Sequence, residues 1–545
     1  MIDYSTLEEL AVFLKDKKVV LYNEERFDRL FLNTKTTLND FFFVRCHFKN
    51  EGNKVDSFFT ISKYEGHQKS SRTFRIGYSY CSSNSFRTMQ KKAIDSNNIK
   101  NLINYSYNNL PVGLHAWEQV LRRYENAFEM PVSHEVIKTL ASVICYHKAL
   151  VDFVTDVIKY IFPHFYFNGH DCYEHATLKN IFIQAKVPSL TLYKYMYNPI
   201  YRGAELNYNK STRIHHSRRF TAMKKNHHSS IWDTHAKAAY QKLELVTKDY
   251  NQLNYMRIDP KHTAHKEAKY EELTGLIQLK SLDKEGRFLG TLGQRQLSKE
   301  DQIYVLALHS FADEATVYGI DDFIHMFDYY QSIVQAISVE HPDAIIAVRF
   351  HPNAKGIKHA VHDKDCLLQR QLFQYLYQNY KNIIISSCES RMQELAKEYS
   401  ISVVTRWGTI GLECIHLNIP IICSALALYA DYLDSHYVIE CRDDLKKVIS
   451  AQKSFMNDRS LINYDKQHIY SLAAALFYHE DGRLRSPAFF YSPEGTEYLN
   501  LSPEDIEGQA VQDLRHYLYK NCENHEDRAM VADILGWSCP EEKMQ

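Results

Sequence analysis

The sequence predicts an α/β protein with two halves, each built around a sheet of parallel strands. In the second half, five short apolar runs alternate with amphipathic helical patterns between residues 303 and 424, which is typical of a doubly wound sheet. In the first half, a strand at 162–171, a Gly-containing turn, a helix at 173–186 and a strand at 188–196 form one βαβ unit. At roughly 100–200 residues per domain, the 545 residues suffice for two to four domains.

The composition excludes several classes of protein. Hydrophobic residues make up 45% and charged residues 24% of the chain, as in ordinary globular proteins. The net charge of −1 gives no overall field that would attract nucleic acid. The 11 cysteines contain no C-x-x-C pair, so free thiols are expected rather than a zinc site or a disulfide framework. No leader-like N-terminus and no run of 18 apolar residues occur, which favours a cytoplasmic protein without a transmembrane helix.

The first half carries further elements around its βαβ unit. These are a helix around 7–14, strands at 17–22, 38–49 and 56–62, polar loops with one helix at 64–110, and a long helix at 133–160. The first strand of the βαβ unit ends near Asn168, Gly169 and His170. In open α/β sheets the carboxyl ends of strands are where ligands bind, so these three residues are candidates for a ligand site.

A polar connector separates the two halves. It begins with a basic arm at about 205–232, followed by mostly helical, polar residues to 285. Charge runs of this kind are usually solvated loops; the alternative is an arm that contacts an anionic acceptor or a membrane surface. We therefore predict domains at 1–290 and 291–455, and a helical tail at 456–545 that packs back across them.

The second half alternates strands and helices in strict order. The predicted strands are 303–311, 343–352, 382–388, 401–409 and 419–425, and the predicted helices are 321–342, 366–380, 391–400 and 410–418. Polar clusters follow three of these strands. Because the carboxyl ends of parallel strands meet at one edge, the three clusters are expected to face one crevice.

The first cluster lies between Thr405 and Glu413 and leads from a strand into a helix. Thr409 can cap this helix, and the free backbone N–H groups at a helix start favour phosphate. Gly411 would let a ligand approach the backbone closely, and the Glu413 carboxylate could accept hydrogen bonds from a ribose diol. The alternative is a plain strand–helix turn with a capping threonine.

The second cluster closes the strand at 343–352. Pro352 stops the strand and holds His351 in extended geometry at its end, where the imidazole could donate to a phosphate or ribose oxygen. Arg349 lies two residues earlier on the same face. The alternative is an ordinary structural histidine.

The third cluster contains the adjacent carboxylates Asp313 and Glu314, which follow the first strand of this half. A carboxylate at this position could be a general base, a metal ligand or a nucleophile at an anomeric carbon. A helix-capping aspartate is the alternative.

The motif R-F-H-P-N at 349–353, followed by G-T-I-G-L-E at 408–413, resembles the C-terminal domain of capsule and lipopolysaccharide biosynthesis glycosyltransferases of the GT-B type. Arg349 stands where those enzymes usually have Lys, and Gly408 stands at their usual Ser. Asp313 falls where capsule-type retaining Kdo transferases carry a catalytic Asp, with His309 at the position of their Gln. The first half resembles their acceptor-side domain more loosely. The resemblance covers 160–200 and 300–435.

The resemblance implies a metal-independent glycosyltransferase with two Rossmann-like domains facing a cleft and extra helical insertions. It would move a sugar from a nucleotide donor, with CMP as one candidate nucleotide, to a glycan or lipid-linked glycan of a capsule or lipopolysaccharide O-chain. On its charge alone, and apart from the resemblance, the basic arm would contact an anionic acceptor or the inner face of the membrane. The implied site residues are Asp313 and Glu314 for catalysis, Arg349, His351, Asn353, Arg406, Thr409, Gly411 and Glu413 for the nucleotide, and Asn168, Gly169 and His170 on the acceptor side.

Two other functions fit the same architecture. A teichoic-acid-type polyol-phosphate or sugar-phosphate polymerase would use a CDP-linked donor and a histidine base, and it would build phosphodiesters into its product. A non-catalytic binding or scaffold protein would need no polar site. The presence of Asp313, His351 and Glu413 on one predicted rim argues against this last function.

Overall fold

The computed structural model describes most of both predicted halves. The described residues are 4–23, 41–51, 54–65, 68–79, 84–96, 98–168, 173–187, 189–192, 199–201, 280–282, 288–290, 297–311, 319–351, 360–386, 390–408, 410–427 and 429–466. The basic arm, the connector up to residue 279 and the chain beyond residue 466 lie outside them.

The described residues form two compact units. The first contains residues 4–120 and 132–201, and the second contains residues 121–131 and 280–466. The predicted domain boundaries at residues 290 and 455 both fall within the second unit. The segment Leu121–Pro131 also belongs to the second unit, although the sequence pattern predicts it in an N-terminal domain.

The first unit is built on a mixed sheet. Its strands are β1 (Lys18–Tyr22), β2 (Phe41–Glu51), β3 (Lys54–Glu65), β4 (Gln68–Ser79), β5 (Phe165–Asn168), β6 (Ser189–Leu192) and β7 (Pro199–Tyr201), in the order β4-β3-β2-β1-β5-β6-β7. The neighbours β2, β1, β5 and β6 run parallel, whereas β3, β4 and β7 pair antiparallel. The predicted βαβ unit is confirmed by the parallel pairing of β5 with β6.

Helices surround this sheet. Within the described residues they are α1 (Tyr4–Phe13), α2 (Asn84–Ser96), α3 (Lys100–Ile103), α4 (Val112–Arg123), α5 (His134–Ile161) and α6 (Tyr173–Gln184). The Ser133 hydroxyl accepts a hydrogen bond from the Val136 N–H at 3.3 Å and so caps the long helix α5. Phe162, with a φ of 51°, ends it in the left-handed region. None of the helices within the described residues is long and apolar enough to cross a membrane.

One prediction in the first half is wrong. The polar composition of residues 64–110 predicts loops with one helix, but β4 occupies Gln68–Ser79 and pairs with β3 from Gln68 to Ser79. Its polar side chains bond across the ladder, as Thr73 does with Thr60 and Ser71 with Ser62. Strand formation here depends on this cross-strand pairing, which composition does not reveal.

The second unit is built on a largely parallel sheet. Its strands are β8 (Lys280–Leu282), β9 (Phe288–Gly290), β10 (Gln302–Ala307), β11 (Ile345–Arg349), β12 (Ile383–Ser386), β13 (Ser400–Val404), β14 (Ile421–Ser424) and β15 (Val438–Ile439), in the order β15-β14-β13-β10-β11-β12-β8-β9. Every described pair is parallel except β8 with β9. The α/β class and the five predicted strands of this half are confirmed. Residues 280–282, predicted in the helical connector, instead pair with β12.

The helices of the second unit connect its strands. Within the described residues they are α7 (Met326–Glu340), α8 (Ala360–Asn379), α9 (Met392–Glu398), α10 (Ile410–His416) and α11 (Asp444–Asn457), with short 3-10 turns at Glu125–Phe128, Ala430–Tyr432 and Arg459–Leu461. The predicted tail thus begins inside α11. The Tyr464 hydroxyl donates to the carbonyl of Ile419 and accepts from the N–H of Ile421, which fastens the start of the tail to the second sheet.

A chain of polar side chains crosses the core of the first unit. The Nδ1 atoms of His115 and His147 lie 2.9 and 2.7 Å from the Thr177 hydroxyl oxygen, and His147 Nε2 lies 2.8 Å from Gln119 Oε1. All four residues are buried. Burial, and then the positive charge of Lys179, lower the pKa of His115 to about 3.

The stability of the first unit is expected to fall as the pH is lowered from about 6.5, the ordinary histidine pKa. Between that value and the folded pKa of about 3, the unfolded state binds one more proton at residue 115. Each pH unit in this window therefore removes up to ~1.4 kcal/mol of the free energy of unfolding. Urea unfolding between about pH 7 and pH 5 should show a shallower pH slope for His115→Asn than for the wild type. Equal slopes would contradict the assignment.

Candidate functional site

The order in which strands are added to the second sheet reverses at β10. From β10 the chain forms β11 and β12 on one side and then returns to form β13 and β14 on the other. In open α/β sheets, ligands bind outside the carboxyl ends of the strands at such a switch point. The described residues that directly follow β10, β11 and β13 therefore form the candidate site.

Two histidines and a tryptophan lie side by side at this edge. His309 follows β10, His351 follows β11 and Trp407 follows β13. The ring centroid of His309 lies 5.5 Å from that of His351 and 5.8 Å from that of Trp407. Trp407 is buried, whereas both histidines are half-buried. The predicted His351 is thus placed beside His309, which the sequence patterns do not single out as a site residue. His309 could have been found from the sequence because it is the first polar residue after the apolar run of the central strand β10.

The orientation of the His309 ring is set by its own loop. Its Nδ1 atom lies 3.3 Å from the carbonyl oxygen of Ser310. A carbonyl oxygen only accepts hydrogen bonds, so Nδ1 is the donor. The neutral ring then carries its lone pair on Nε2, the other ring nitrogen.

Helix α8 holds the beginnings of two of these loops. The Asp365 carboxylate accepts hydrogen bonds from the Ser310 hydroxyl and, at 2.9 Å, from the N–H of Phe311. One helical turn later, Gln369 Oε1 accepts a hydrogen bond from the N–H of His351 at 2.8 Å. Asp365 is 1% exposed and Gln369 is fully buried. Losing a hydrogen bond to a buried acceptor is costly, so these bonds fix where the loops leave the sheet.

The segment Leu121–Pro131 packs against the loop that follows β10. The Phe128 ring lies 6.1 Å from that of Phe311 and is stacked on it. Lys364 Nζ donates to the carbonyl of Leu121 at 2.9 Å, and burial lowers the pKa of this lysine to about 8. A part of the chain that is distant in sequence therefore supports the loop beside His309.

The turn between β13 and α10 is closed by its own hydrogen bonds. The Thr405 hydroxyl accepts from the N–H of Gly408 at 3.1 Å. The carbonyl of Gly408 accepts from the Tyr429 hydroxyl at 2.9 Å and from the N–H of Gly411 at 3.1 Å. This bonding fixes the shape of the turn that the sequence motif predicts.

The reason for glycine at position 411 differs from the predicted one. The motif suggests that Gly411 allows a ligand to approach the backbone. A Cβ atom on Gly411 would instead lie 2.1 Å from the hydroxyl oxygen and 2.3 Å from Cζ of Tyr429. The space beside Gly411 is therefore occupied by the Tyr429 ring, and the glycine is required by internal packing.

Arg406 lies inside the second unit. It is 2% exposed, and its Nη2 atom lies 2.6 Å from Asp321 Oδ1 and 2.8 Å from the carbonyl oxygen of Phe323. Asp321 also accepts hydrogen bonds from the Ser424 hydroxyl at 2.7 Å and from the N–H of Phe323 at 2.9 Å. The guanidinium, predicted to contact the nucleotide, thus ties the loop before α7 to the ends of β13 and β14.

Arg349 and Glu413 lie around one buried thiol. Each is 5% exposed, and Cys414 between their charges is fully buried. Burial raises the pKa of the Cys414 thiol well above its usual value; the charge of Glu413 raises it further, and that of Arg349 lowers it. These two predicted nucleotide residues are therefore in the interior of the second unit.

His325 caps the beginning of α7 and contacts the segment Leu121–Pro131. Its Nδ1 accepts a hydrogen bond from the N–H of Asp328 at 3.0 Å, and its ring lies 5.3 Å from that of Phe128. Burial is the main cause that lowers the pKa of His325 to about 4; nearby Asp328 raises it, and Arg406 lowers it. The ring is therefore a neutral capping group at neutral pH.

Several predicted site residues lie outside the described ranges. They are Asp313, Glu314, Asn353, Thr409, Gly169 and His170. Among the residues that the structure describes, no group of three or more His, Cys, Asp or Glu side chains is arranged to hold a metal ion.

The first sheet has a switch point of its own. From β1 the chain forms β2 on one side, and β5 lies on the other. Asn168 ends β5. Asn23 follows β1, and its Nδ2 lies 2.5 Å from His175 Nδ1. The predicted acceptor-side Asn168 is thus at the carboxyl edge of the strand beside β1, where Asn23 and His175 are additional polar side chains.

The fold and this edge define an α/β protein with two sheets of the Rossmann-like kind and a candidate ligand site at the switch point of the second sheet. Residues 207–432 match the model of a family described as "Capsule polysaccharide biosynthesis protein". The match spans less than half of the chain but includes the whole candidate site of the second unit. It supports a role in capsule polysaccharide biosynthesis and confirms the resemblance stated from the sequence. It also covers 207–290, where the motifs suggest no resemblance.

Two solved structures show distant similarity. A UDP-GlcNAc 2-epimerase from Methanocaldococcus jannaschii, solved with UDP-GlcNAc and UDP, is 13% identical with a TM-score of 0.26, over 61% of this chain and 79% of that one. A UDP-GlcNAc 2-epimerase from Neisseria meningitidis, bound to UDP-GlcNAc, is 10% identical with a TM-score of 0.25, over 67% of this chain and 95% of that one. TM-scores this low do not assign the fold, which follows instead from the observed order of the strands. No curated protein matches the chain.

Proposed function

We propose that the protein is a glycosyltransferase that moves a sugar from a nucleotide-activated donor to a capsular glycan. The observation that carries the proposal is the convergence of His309, His351 and the turn from Thr405 to Gly411 at one switch point. This convergence lies inside the stretch that matches the capsule family. A nucleotide is the kind of ligand that sheets of this type bind at that edge.

In this proposal, the second unit holds the donor nucleotide. His351 would donate to a phosphate oxygen, and Thr409 would stabilise the phosphate as charge develops on the leaving group. Asp313 would act on the sugar, as a nucleophile in a retaining reaction or as a base in an inverting one. Glu413 would bind the ribose; since it is 5% exposed, the proposal requires the beginning of α10 to open when the donor binds.

The acceptor would be a glycan or a lipid-linked glycan. The first unit offers the carboxyl edge of β1 and β5 for it, with Asn168 and Asn23. The basic arm at about 205–232 would contact an anionic acceptor or the inner face of the membrane. Deletion of residues 210–228 is therefore expected to weaken acceptor binding more than donor binding.

A thermal-shift screen against CMP, CDP, UDP and GDP tests the donor site. A nucleotide at about 100 times its dissociation constant should add roughly 2.7 kcal/mol of stability. We expect one nucleotide to raise the melting temperature of the wild type and to lose this effect in His351→Ala. Lys397→Ala is the matched control, because Lys397 pairs with Glu394 at the surface of the same unit.

The outcomes separate the candidate functions. A response to CMP, UDP or GDP that is followed by sugar transfer, abolished by Asp313→Asn, supports the proposal. A response to CDP with phosphodiesters in the product would indicate a polymerase of the teichoic-acid type. The absence of any nucleotide response would favour a binding or scaffold protein.

A further inference from the structure

We infer that His309 is a second phosphate-binding residue of the donor site, and that Asp365 and Gln369 are positioning residues that set His309 against His351. This inference rests on the proposed function and adds to it the residue that shares the phosphate. It follows from the adjacency of two half-buried imidazoles and from the buried brace beneath them.

The two rings are spaced for one anion. Their centroids are 5.5 Å apart, with an angle of 46° between the ring planes. At this separation of the ring centres, one nitrogen of each ring can reach an oxygen of the same phosphate group through a hydrogen bond of about 2.9 Å. Both rings are half-buried, so a ligand can reach them while part of the surrounding water is excluded, which strengthens contacts with charge.

The hydrogen bond from His309 Nδ1 to the Ser310 carbonyl determines which ring nitrogen can contact a ligand. With Nδ1 donating to this carbonyl at 3.3 Å, Nε2 is the nitrogen through which His309 can act on a ligand. When the ring takes up a proton beside a phosphate, Nε2 becomes a charged donor, and charged hydrogen bonds are about twice as strong as neutral ones. Gly408 lies next to this ring, since a Cβ atom there would be 3.9 Å from His309 Cδ2.

The brace in α8 consists of two polar side chains that are buried. Asp365 and Gln369 are four residues apart and therefore lie on one face of the helix. Asp365 holds Ser310 and Phe311, which directly follow His309, and Gln369 holds the backbone of His351. One rigid element thus sets the positions of both histidines.

The test is a double-mutant cycle on nucleotide affinity, measured by isothermal titration with the nucleotide that stabilises the wild type. His309→Asn keeps a donor near Nδ1 and removes Nε2. We expect it and His351→Ala each to weaken binding about 10- to 100-fold, the range for a charged hydrogen bond. If both residues hold one phosphate, the double mutant should lose less than the product of the two single losses. Affinity for the corresponding nucleoside should be unchanged in His309→Asn.

The brace is tested with two variants of Asp365. Asp365→Asn keeps an acceptor for the N–H of Phe311 and can donate to the Ser310 hydroxyl oxygen, whereas Asp365→Ala removes both bonds. We expect nucleotide affinity close to that of the wild type in Asp365→Asn and a loss of about tenfold or more in Asp365→Ala. Rescue by asparagine marks a positioning role. If Asp365→Ala fails to fold, the cycle on His309 and His351 still decides the inference.

The result also distinguishes this inference from the proposed function. A wild type that binds no nucleotide overturns both. A wild type whose affinity falls in His351→Ala but not in His309→Asn keeps the donor site and overturns the role of His309. Fully independent losses in the double mutant would mean that the two histidines do not share a phosphate.

Discussion

Asp321→Ala is expected to lower the free energy of unfolding of the second unit by about 3–5 kcal/mol, the usual cost of removing one partner from a buried ion pair. Asp321 lies 2.6 Å from Arg406 Nη2, and the two side chains are 3% and 2% exposed. Without the carboxylate, the Arg406 guanidinium stays buried without its counter-charge. The Ser424 hydroxyl and the N–H of Phe323 also lose their acceptor.

Urea unfolding gives the loss of stability, and hydrogen exchange of peptides from β13 and β14 locates it. The surface pair Lys397–Glu394, with 57% and 26% side-chain exposure, supplies the control: Glu394→Ala should cost at most ~0.5 kcal/mol. The double variant Asp321→Leu with Arg406→Met should recover the part of the loss that comes from the uncompensated charge, because an apolar pair replaces a buried ionic one at little cost. The hydrogen bonds from the Ser424 hydroxyl and the N–H of Phe323 stay lost in this variant. A double variant as unstable as Asp321→Ala would show that the effect does not come from the ion pair.

Gly411→Ala is expected to destabilise the second unit by roughly 2–5 kcal/mol, combining an overpacked core with a lost buried hydrogen bond. The new Cβ atom would overlap the Tyr429 ring, with 2.1 Å to its oxygen and 2.3 Å to Cζ. Tyr429 is 1% exposed, so its ring has little room to move. Any shift would also break its hydrogen bond to the carbonyl of Gly408.

Gly408→Ala is the matched comparison for this prediction. A Cβ atom there would lie 2.8 Å from the Thr405 hydroxyl oxygen, and its next neighbours, Ile410 Cγ2 at 3.6 Å and His309 Cδ2 at 3.9 Å, are at ordinary contact distances. Only the hydroxyl group therefore has to move. We expect its cost to be well below that of Gly411→Ala, with both measured by thermal unfolding. In a Tyr429→Ala background, Gly411→Ala should cost much less than in the wild type. Equal costs in the two backgrounds would contradict the steric explanation.

The turn at 405–411 also links stability to the candidate site. Gly408 lies beside His309, and its carbonyl is held by the Tyr429 hydroxyl. Displacement of Tyr429 would change the edge where the nucleotide is proposed to bind. Gly411→Ala should therefore weaken nucleotide binding at temperatures where the variant is still folded.

Much of the fold could be predicted from local patterns. Continuous apolar runs such as the one in β11, which is buried along its whole length, indicate central parallel strands. The helix pattern at 133–160 agrees with α5 to within a residue at each end. The strands β4, β8 and β15 could not be predicted in this way, because each depends on pairing with a strand elsewhere in the chain.

The sequence predicts the sheet edge at which the candidate site lies, but it predicts few of the side-chain contacts within the site. His351 follows its strand as the motif indicates, and the parallel sheet brings it beside the end of β10. Arg406 and Gly411 belong to the predicted nucleotide motif. In the structure Arg406 forms an ion pair with Asp321, and the Tyr429 ring fills the space beside Gly411. Neither partner is near in sequence, so the motif cannot show whether such a residue meets a ligand or the interior of the protein.

The sequence by itself determined the α/β class, the order of strands and helices in the second half, and the edge at which its polar residues collect, because hydrophobic periodicity and strand-end residues are local properties of the chain. The tertiary structure alone decided that His309 stands beside His351, that α8 braces both, and that Arg406 faces Asp321. These facts depend on which strands become neighbours and which side chains fill the space between them, and long-range packing fixes both.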